Sequence, residues 1–190
     1  MRITILLIFS IAALICVAPL GTAGADEIQY PKIRAEMSKV APLIGKWRAA
    51  AKFYDSEGVT EEAGTYSISS VLDDTYLQWE VELHNKENPK RSHSFIIFVT
   101  FNPMSNQYDS TYFYSRWALR VTETGEYDDA AKEFRTRAFI PLEDGVHDEN
   151  VRTITSLKDP NKVVYKHYSW YSHEKAERLN LEITLTRITN

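Results

Sequence analysis

The chain has 190 residues, 44% of them hydrophobic and 25% charged, with a formal net charge of −4. That composition excludes wholesale disorder and collagen-like or low-complexity polymers, and the acidic balance gives no electrostatic footprint for nucleic acid or an anionic membrane surface. The length suits one domain of ordinary size, and 11 Tyr, 8 Phe and 4 Trp tilt it toward β structure.

Residues 1–25 read as an address. Arg2 is the only charge before Asp26, and an apolar run of 15 residues over 3–17 falls short of the roughly 20 that span a bilayer. Pro19, Gly21 and the exit Ala23-Gly24-Ala25 complete the pattern of a secretory signal, with an uncleaved anchor as the rival reading. Ile15 before Cys16 is the wrong residue for a lipoprotein signal. Cleavage after Ala25 leaves 165 residues, 21 basic against 26 acidic, with no stable membrane span and no cysteine. Thiol catalysis, disulfides and thiolate metal sites are thereby excluded for the mature chain. A periplasmic or secreted location is expected.

The mature chain divides into an N-terminal segment, 26–40, and a barrel domain, 41–190. Ile33, Met37, Val40 and Leu43 are spaced four, three and three, which predicts a short amphipathic helix over 31–43. From Trp47 the period becomes two: Trp47, Ala49, Ala51 and Phe53 share one face, with Arg48 and Lys52 on the other. Strands are predicted over 47–54, 65–72, 75–83, 92–101, 108–115, 117–122, 133–140, 150–157, 162–171 and 179–188. Turn chemistry separates them at Asp55-Ser56-Glu57-Gly58, Asp73-Asp74, 85–89, Asn102-Pro103, Thr124-Gly125, Glu143-Asp144-Gly145 and Asp159-Pro160-Asn161. The acidic runs Glu61-Glu62 and Asp128-Asp129 read as solvated loops.

About ten short strands joined by short turns predict an all-β, up-and-down antiparallel barrel behind a short N-terminal helix, because closing the sheet removes its edges. In the last strand Leu179, Leu181, Ile183 and Leu185 share a face that Arg187 continues. A guanidinium on an apolar face needs a partner, and the indole of Trp47 in the first strand is suited to it.

Leu43-Ile44-Gly45-Lys46-Trp47 after a helix resembles the G-x-W opening of the lipocalin-like, or calycin, barrels, and Arg187 resembles the late Arg that packs over that Trp. The chain also resembles exported bacterial lipocalin-like domains, whose F/Y-x-P turn is here Phe101-Asn102-Pro103. The resemblance implies barrel closure by Gly45, Trp47 and Arg187, and an interior cavity for a small lipophilic molecule.

The residues themselves suggest what would line such a cavity. Leu77, Trp79, Val81 and Leu83 alternate with Tyr76, Gln78, Glu80 and Glu82, so the Leu77 face points inward. Lys166 turns Tyr165 and His167 inward and leaves Tyr168 and Trp170 outside. The candidate ligand-binding residues are Trp79, Tyr112, Tyr114, Trp117, Tyr165 and His167, with plain core aromatics as the competing reading. The five histidines, His84, His93, His147, His167 and His173, form no metal-ligand spacing, and no motif calls for a metal or another cofactor. No catalytic residue is assigned. The alternatives are an enzyme using His167 as acid or base, and an interaction module docking through Tyr168 and Trp170.

Overall fold

Trp47, Ala49 and Ala51 are buried while Arg48, Ala50 and Lys52 are exposed, and this period of two forms β1 (Gly45–Asp55). The computed structural model describes residues 26–88, 90, 92–115, 120–141, 148–171, 173–174 and 176–189. Helix α1 (Asp26–Val40) and a 3-10 turn, Ala41–Leu43, lead into β1. Nine strands follow: β2 (Gly58–Val71), β3 (Tyr76–Asn85), β4 (Ser92–Asn102), β5 (Gln107–Tyr114), β6 (Arg120–Asp128), β7 (Glu133–Pro141), β8 (Asp148–Asp159), β9 (Lys162–Tyr171) and β10 (Arg178–Arg187). Each pairs antiparallel with its sequence neighbours, and β10 returns to β1, so the sheet is a closed up-and-down barrel. Among the described residues no helix is long and apolar enough to cross a membrane.

The turns share one chemistry. The side-chain oxygens of Asp55, Asn85, Asn102, Asp128 and Asp159 each accept a backbone N–H from the residue two positions on. These short polar side chains replace ladder bonds that the reversing chain gives up.

Closure rests on the first and last strands, which pair from Trp47↔Arg187 to Phe53↔Leu181. The Arg187 guanidinium lies 4.0 Å from the centre of the Trp47 ring. Its Nε donates to the Pro160 carbonyl at 2.9 Å, Nη1 to Ile44 at 2.9 Å and Nη2 to Pro42 at 2.6 Å. Trp47 Nε1 donates to the Leu43 carbonyl at 2.8 Å. The charge is thus spread over three carbonyls and an indole face. Gly45 makes room for it: its φ is +140°, and a Cβ there would stand 2.6 Å from Arg187 Nη1.

The helix shuts this end. Met37, Val40 and Leu43 join Trp47, Phe101, Tyr108 and Phe134 in the core, and Tyr108 donates its hydroxyl proton to the Glu36 carbonyl at 2.8 Å. The opposite end of the barrel carries the β1–β2, β3–β4, β5–β6, β7–β8 and β9–β10 connections.

Four sequence expectations change. The helix begins at Asp26, ahead of the predicted start at 31, and carries Pro31 inside it. Thr124-Gly125 is not a turn: β6 runs through it and the chain reverses at 129–132 instead. Gly125 serves close approach rather than reversal, since a Cβ there would lie 2.0 Å from the Arg135 carbonyl oxygen. Glu61 and Glu62 belong to β2, which starts directly after the Asp55 turn, and Glu62 faces inward at 3% exposure. Leu179 leaves the face of Leu181, because a register shift sets Leu179 opposite Tyr168 and Leu181 opposite His167. The predicted turn at Glu143-Asp144-Gly145 lies outside the described residues.

Candidate functional site

Past the sealed end the inner rows of the strands enclose a cavity of about 40 Å³, lined by Tyr66, Trp79, Ile97, Tyr112, Thr155, Tyr165 and His167 among others. Toward the open end lies a wider mouth of about 370 Å³, lined by Phe53, Leu83, His93, Ser94, Phe95, Tyr114, Ser115 and Leu181. Phe95, Tyr114 and Leu181 line both spaces. The period of two does the positioning, since one inward residue in every pair brings Trp79 from β3, Tyr112 and Tyr114 from β5, and Tyr165 and His167 from β9 around one cavity. Trp117 lies outside the described residues. Gly45, Trp47 and Arg187 sit at the sealed end, away from the cavity lining.

The rings form a path from mouth to interior. Phe95 stacks on Tyr114 at 5.1 Å and meets Tyr66 edge-on at 6.3 Å; Tyr66 meets Trp79 edge-on at 6.4 Å. These are favourable aromatic geometries, and they leave ring faces and edges along the space. Burial pushes the phenols of Tyr66, Tyr112, Tyr114 and Tyr165 above their ordinary range, so all four keep their protons. Burial also holds the His167 imidazole below its ordinary value, against an upward pull from Glu149, so it is neutral at pH 7.

Two buried carboxyl groups accompany the aromatics, and sequence reasoning missed both. Glu123, 3% exposed, accepts the hydroxyl proton of Tyr112 at 3.1 Å and that of Thr136. Thr136 shares a further hydrogen bond with Thr153, which is the register partner of His167. Glu62 accepts from His93 Nδ1 at 3.1 Å beside the mouth, where Phe53 meets the imidazole edge-on at 5.9 Å. The signal for Glu123 was the alternation Val121, Glu123, Gly125, Tyr127 on one face, which the expected turn concealed.

Glu123 makes a pH prediction. Burial raises its pKa, with the Thr136 and Tyr112 hydrogen bonds pulling the other way. The folded state therefore binds this proton more tightly than the unfolded chain does. That contribution to stability is complete below the unfolded value of 4.5 and is lost as pH rises through the folded value. Glu123→Gln keeps an acceptor for both hydroxyls without a charge to desolvate. The variant is expected to gain stability relative to the wild type as pH rises from about 4 to about 8 in thermal unfolding scans. A difference that stays flat or falls would contradict the burial of this carboxyl.

Trp79, 6% exposed, lines the cavity, and its Nε1 has no hydrogen-bond acceptor among the described residues. The same holds for the hydroxyl of Ser110, which faces Glu123 across the β5–β6 ladder. Outside the barrel, Tyr168 and Trp170 are both half-buried, and the Arg152 guanidinium covers Tyr168 at 4.3 Å. Among the described residues no group of three or more His, Cys, Asp or Glu is gathered for a metal. The chemistry on offer is recognition by ring faces, with few polar atoms to fix orientation.

The profile of the family described as "Protein of unknown function (DUF1579)" matches residues 33–187. No curated protein matches the sequence. Among solved structures, the chain is similar to Rv2717c from M. tuberculosis, with a TM-score of 0.62 and 10% identity over 83% of this chain and 99% of that one. It is also similar to the S-type phycobiliprotein lyase CPES from Guillardia theta, with a TM-score of 0.56 and 11% identity over 87% of this chain and 98% of that one. At such identities the likeness shows the fold alone.

Proposed function

This chain belongs to the DUF1579 family, and we propose that it is an exported, lipocalin-like binder of a small, largely apolar molecule, without catalytic chemistry of its own. One observation carries the reading: the mouth and the interior are adjacent aromatic-lined spaces with Phe95, Tyr114 and Leu181 as common walls. The mouth volume of about 370 Å³ falls in the range of small-ligand sites, roughly 300–1,000 Å³. Its walls are Phe and Leu side chains, with His93, Ser94 and Ser115 as polar handles. Export rests on the charged start, apolar run and small-residue exit of residues 1–25.

One preparation tests both parts. The full-length chain is expressed with its leader, and material recovered from outside the cytoplasm is expected to begin at Asp26; material that stays inside with the leader attached overturns export. The recovered protein is then titrated with the neutral fluorophore N-phenyl-1-naphthylamine. Saturable binding is expected, weakened about tenfold or more by Phe53→Glu, since tenfold corresponds to ~1.4 kcal/mol of lost apolar contact. Phe113→Glu, on the outer surface at 45% exposure, is expected to leave binding unchanged. Absence of saturable binding, or equal loss in both variants, overturns the cavity as the binding site.

A further inference from the structure

The interior is more selective than an apolar pocket. Trp79 is buried, lines the cavity, and has an indole N–H with no acceptor among the described residues. An indole nitrogen can only donate, so what this buried donor lacks is an oxygen acceptor, which a ligand seated beside the ring could supply. Of the neighbouring hydroxyls, Tyr112 donates to Glu123 and Tyr165 is hydrogen-bonded to Tyr112. Trp79 is therefore a fully buried donor of the cavity lining that lacks an acceptor among the described residues.

Charge narrows the class further. Among the described residues no Lys or Arg lines the inner cavity, and the one imidazole there, His167, is neutral at pH 7. The Glu123 carboxyl stands one hydrogen bond behind Tyr112. A carboxylate or phosphate would lose its water here and meet no cation, which is strongly unfavourable. Size sets the layout. The inner space of about 40 Å³ takes the tip of a molecule, and the mouth of about 370 Å³ takes its body.

Resting on the binding function proposed above, we infer that the ligand is an aromatic or otherwise apolar molecule whose leading end carries an uncharged hydrogen-bond acceptor, a carbonyl or ether oxygen, received by the Trp79 indole N–H.

The test uses four probes of one shape on the full chain: acetophenone, ethylbenzene, benzoate and phenyltrimethylammonium. The readout is the indole N–H signals of protein labelled with nitrogen-15 tryptophan, the Trp79 signal being the one lost in Trp79→Phe. Acetophenone is expected to move that signal downfield and to bind about fivefold or more tighter than ethylbenzene, the ratio one neutral hydrogen bond supports. In Trp79→Phe the two are expected to bind alike. Equal binding of acetophenone and ethylbenzene to the wild type overturns the inference, as does tightest binding of benzoate, or of phenyltrimethylammonium, which would mark an aromatic cage for cations. If Trp79→Phe does not fold, the wild-type ranking decides alone. If none of the four probes binds, it is the binding function itself that fails, and the acceptor rule falls with it.

Discussion

Trp47→Ala is expected to destabilise the protein by about 3–5 kcal/mol, the range for removing a large core aromatic. The side chain is fully buried, and truncating it leaves a void at the base of the barrel. Two further losses add to the void. The Leu43 carbonyl loses the indole N–H that it accepts at 2.8 Å, and the Arg187 guanidinium loses the ring lying 4.0 Å beneath it. Arg187 keeps its bonds to Pro42, Ile44 and Pro160, so the charge is not stranded. The β1–β10 seam is weakened at its first pair rather than opened throughout. Urea unfolding monitored by far-UV circular dichroism measures the change, and a loss below about 1 kcal/mol would show that the seam does not depend on this ring. Trp47→Phe separates the contributions, because it retains a ring under the guanidinium and deletes the bond to Leu43. Its expected loss is intermediate.

Much of this architecture is legible in the residues because several strands are polar on one face and apolar on the other. Trp47 to Phe53, Leu77 to Leu83 and Val163 to His167 announce both their period and their inward side, and Trp47 with Arg187 announces that the ends meet. What stays hidden is polar residues that face inward. Glu62 looks solvated until the β2–β3 ladder places it opposite Asn85, with His93 in reach. Glu123 disappears behind Thr124-Gly125, a dipeptide that serves a turn in most chains and here lets two backbones approach. Leu179 alternates correctly with Leu181 in sequence, yet one extra residue in the ladder turns it outward. In each case long-range pairing decides the orientation, against what the local composition suggests. The cavity follows the same division. Its aromatic walls are visible in the alternation, whereas the carboxyl behind Tyr112 and the open Trp79 donor exist only once the strands are assembled.

Gly64→Ala is expected to cost about 3 kcal/mol, the upper end of the usual overpacking range. Gly64 lies on the inward row of β2 between Glu62 and Tyr66, paired with Ala49 on one side and Leu83 on the other. A Cβ at this position would lie 1.8 Å from the Glu82 carbonyl oxygen and 3.0 Å from the Leu83 Cα. Both are backbone atoms, so no rotamer change relieves the contact; β2 and β3 have to separate. The reason for the glycine is the close approach of the β2 and β3 backbones. Separation would also move Leu83, a wall of the mouth. Gly64→Ala is therefore expected to lower the urea midpoint and, under conditions where the variant remains folded, to weaken N-phenyl-1-naphthylamine binding as well. Ser67→Ala, on the outer row of the same strand, is the control, and both quantities are expected to stay at wild-type values. A Gly64→Ala variant as stable as the wild type would mean that the β2–β3 seam yields at little cost, and that the close approach at Gly64 is not what fixes the mouth.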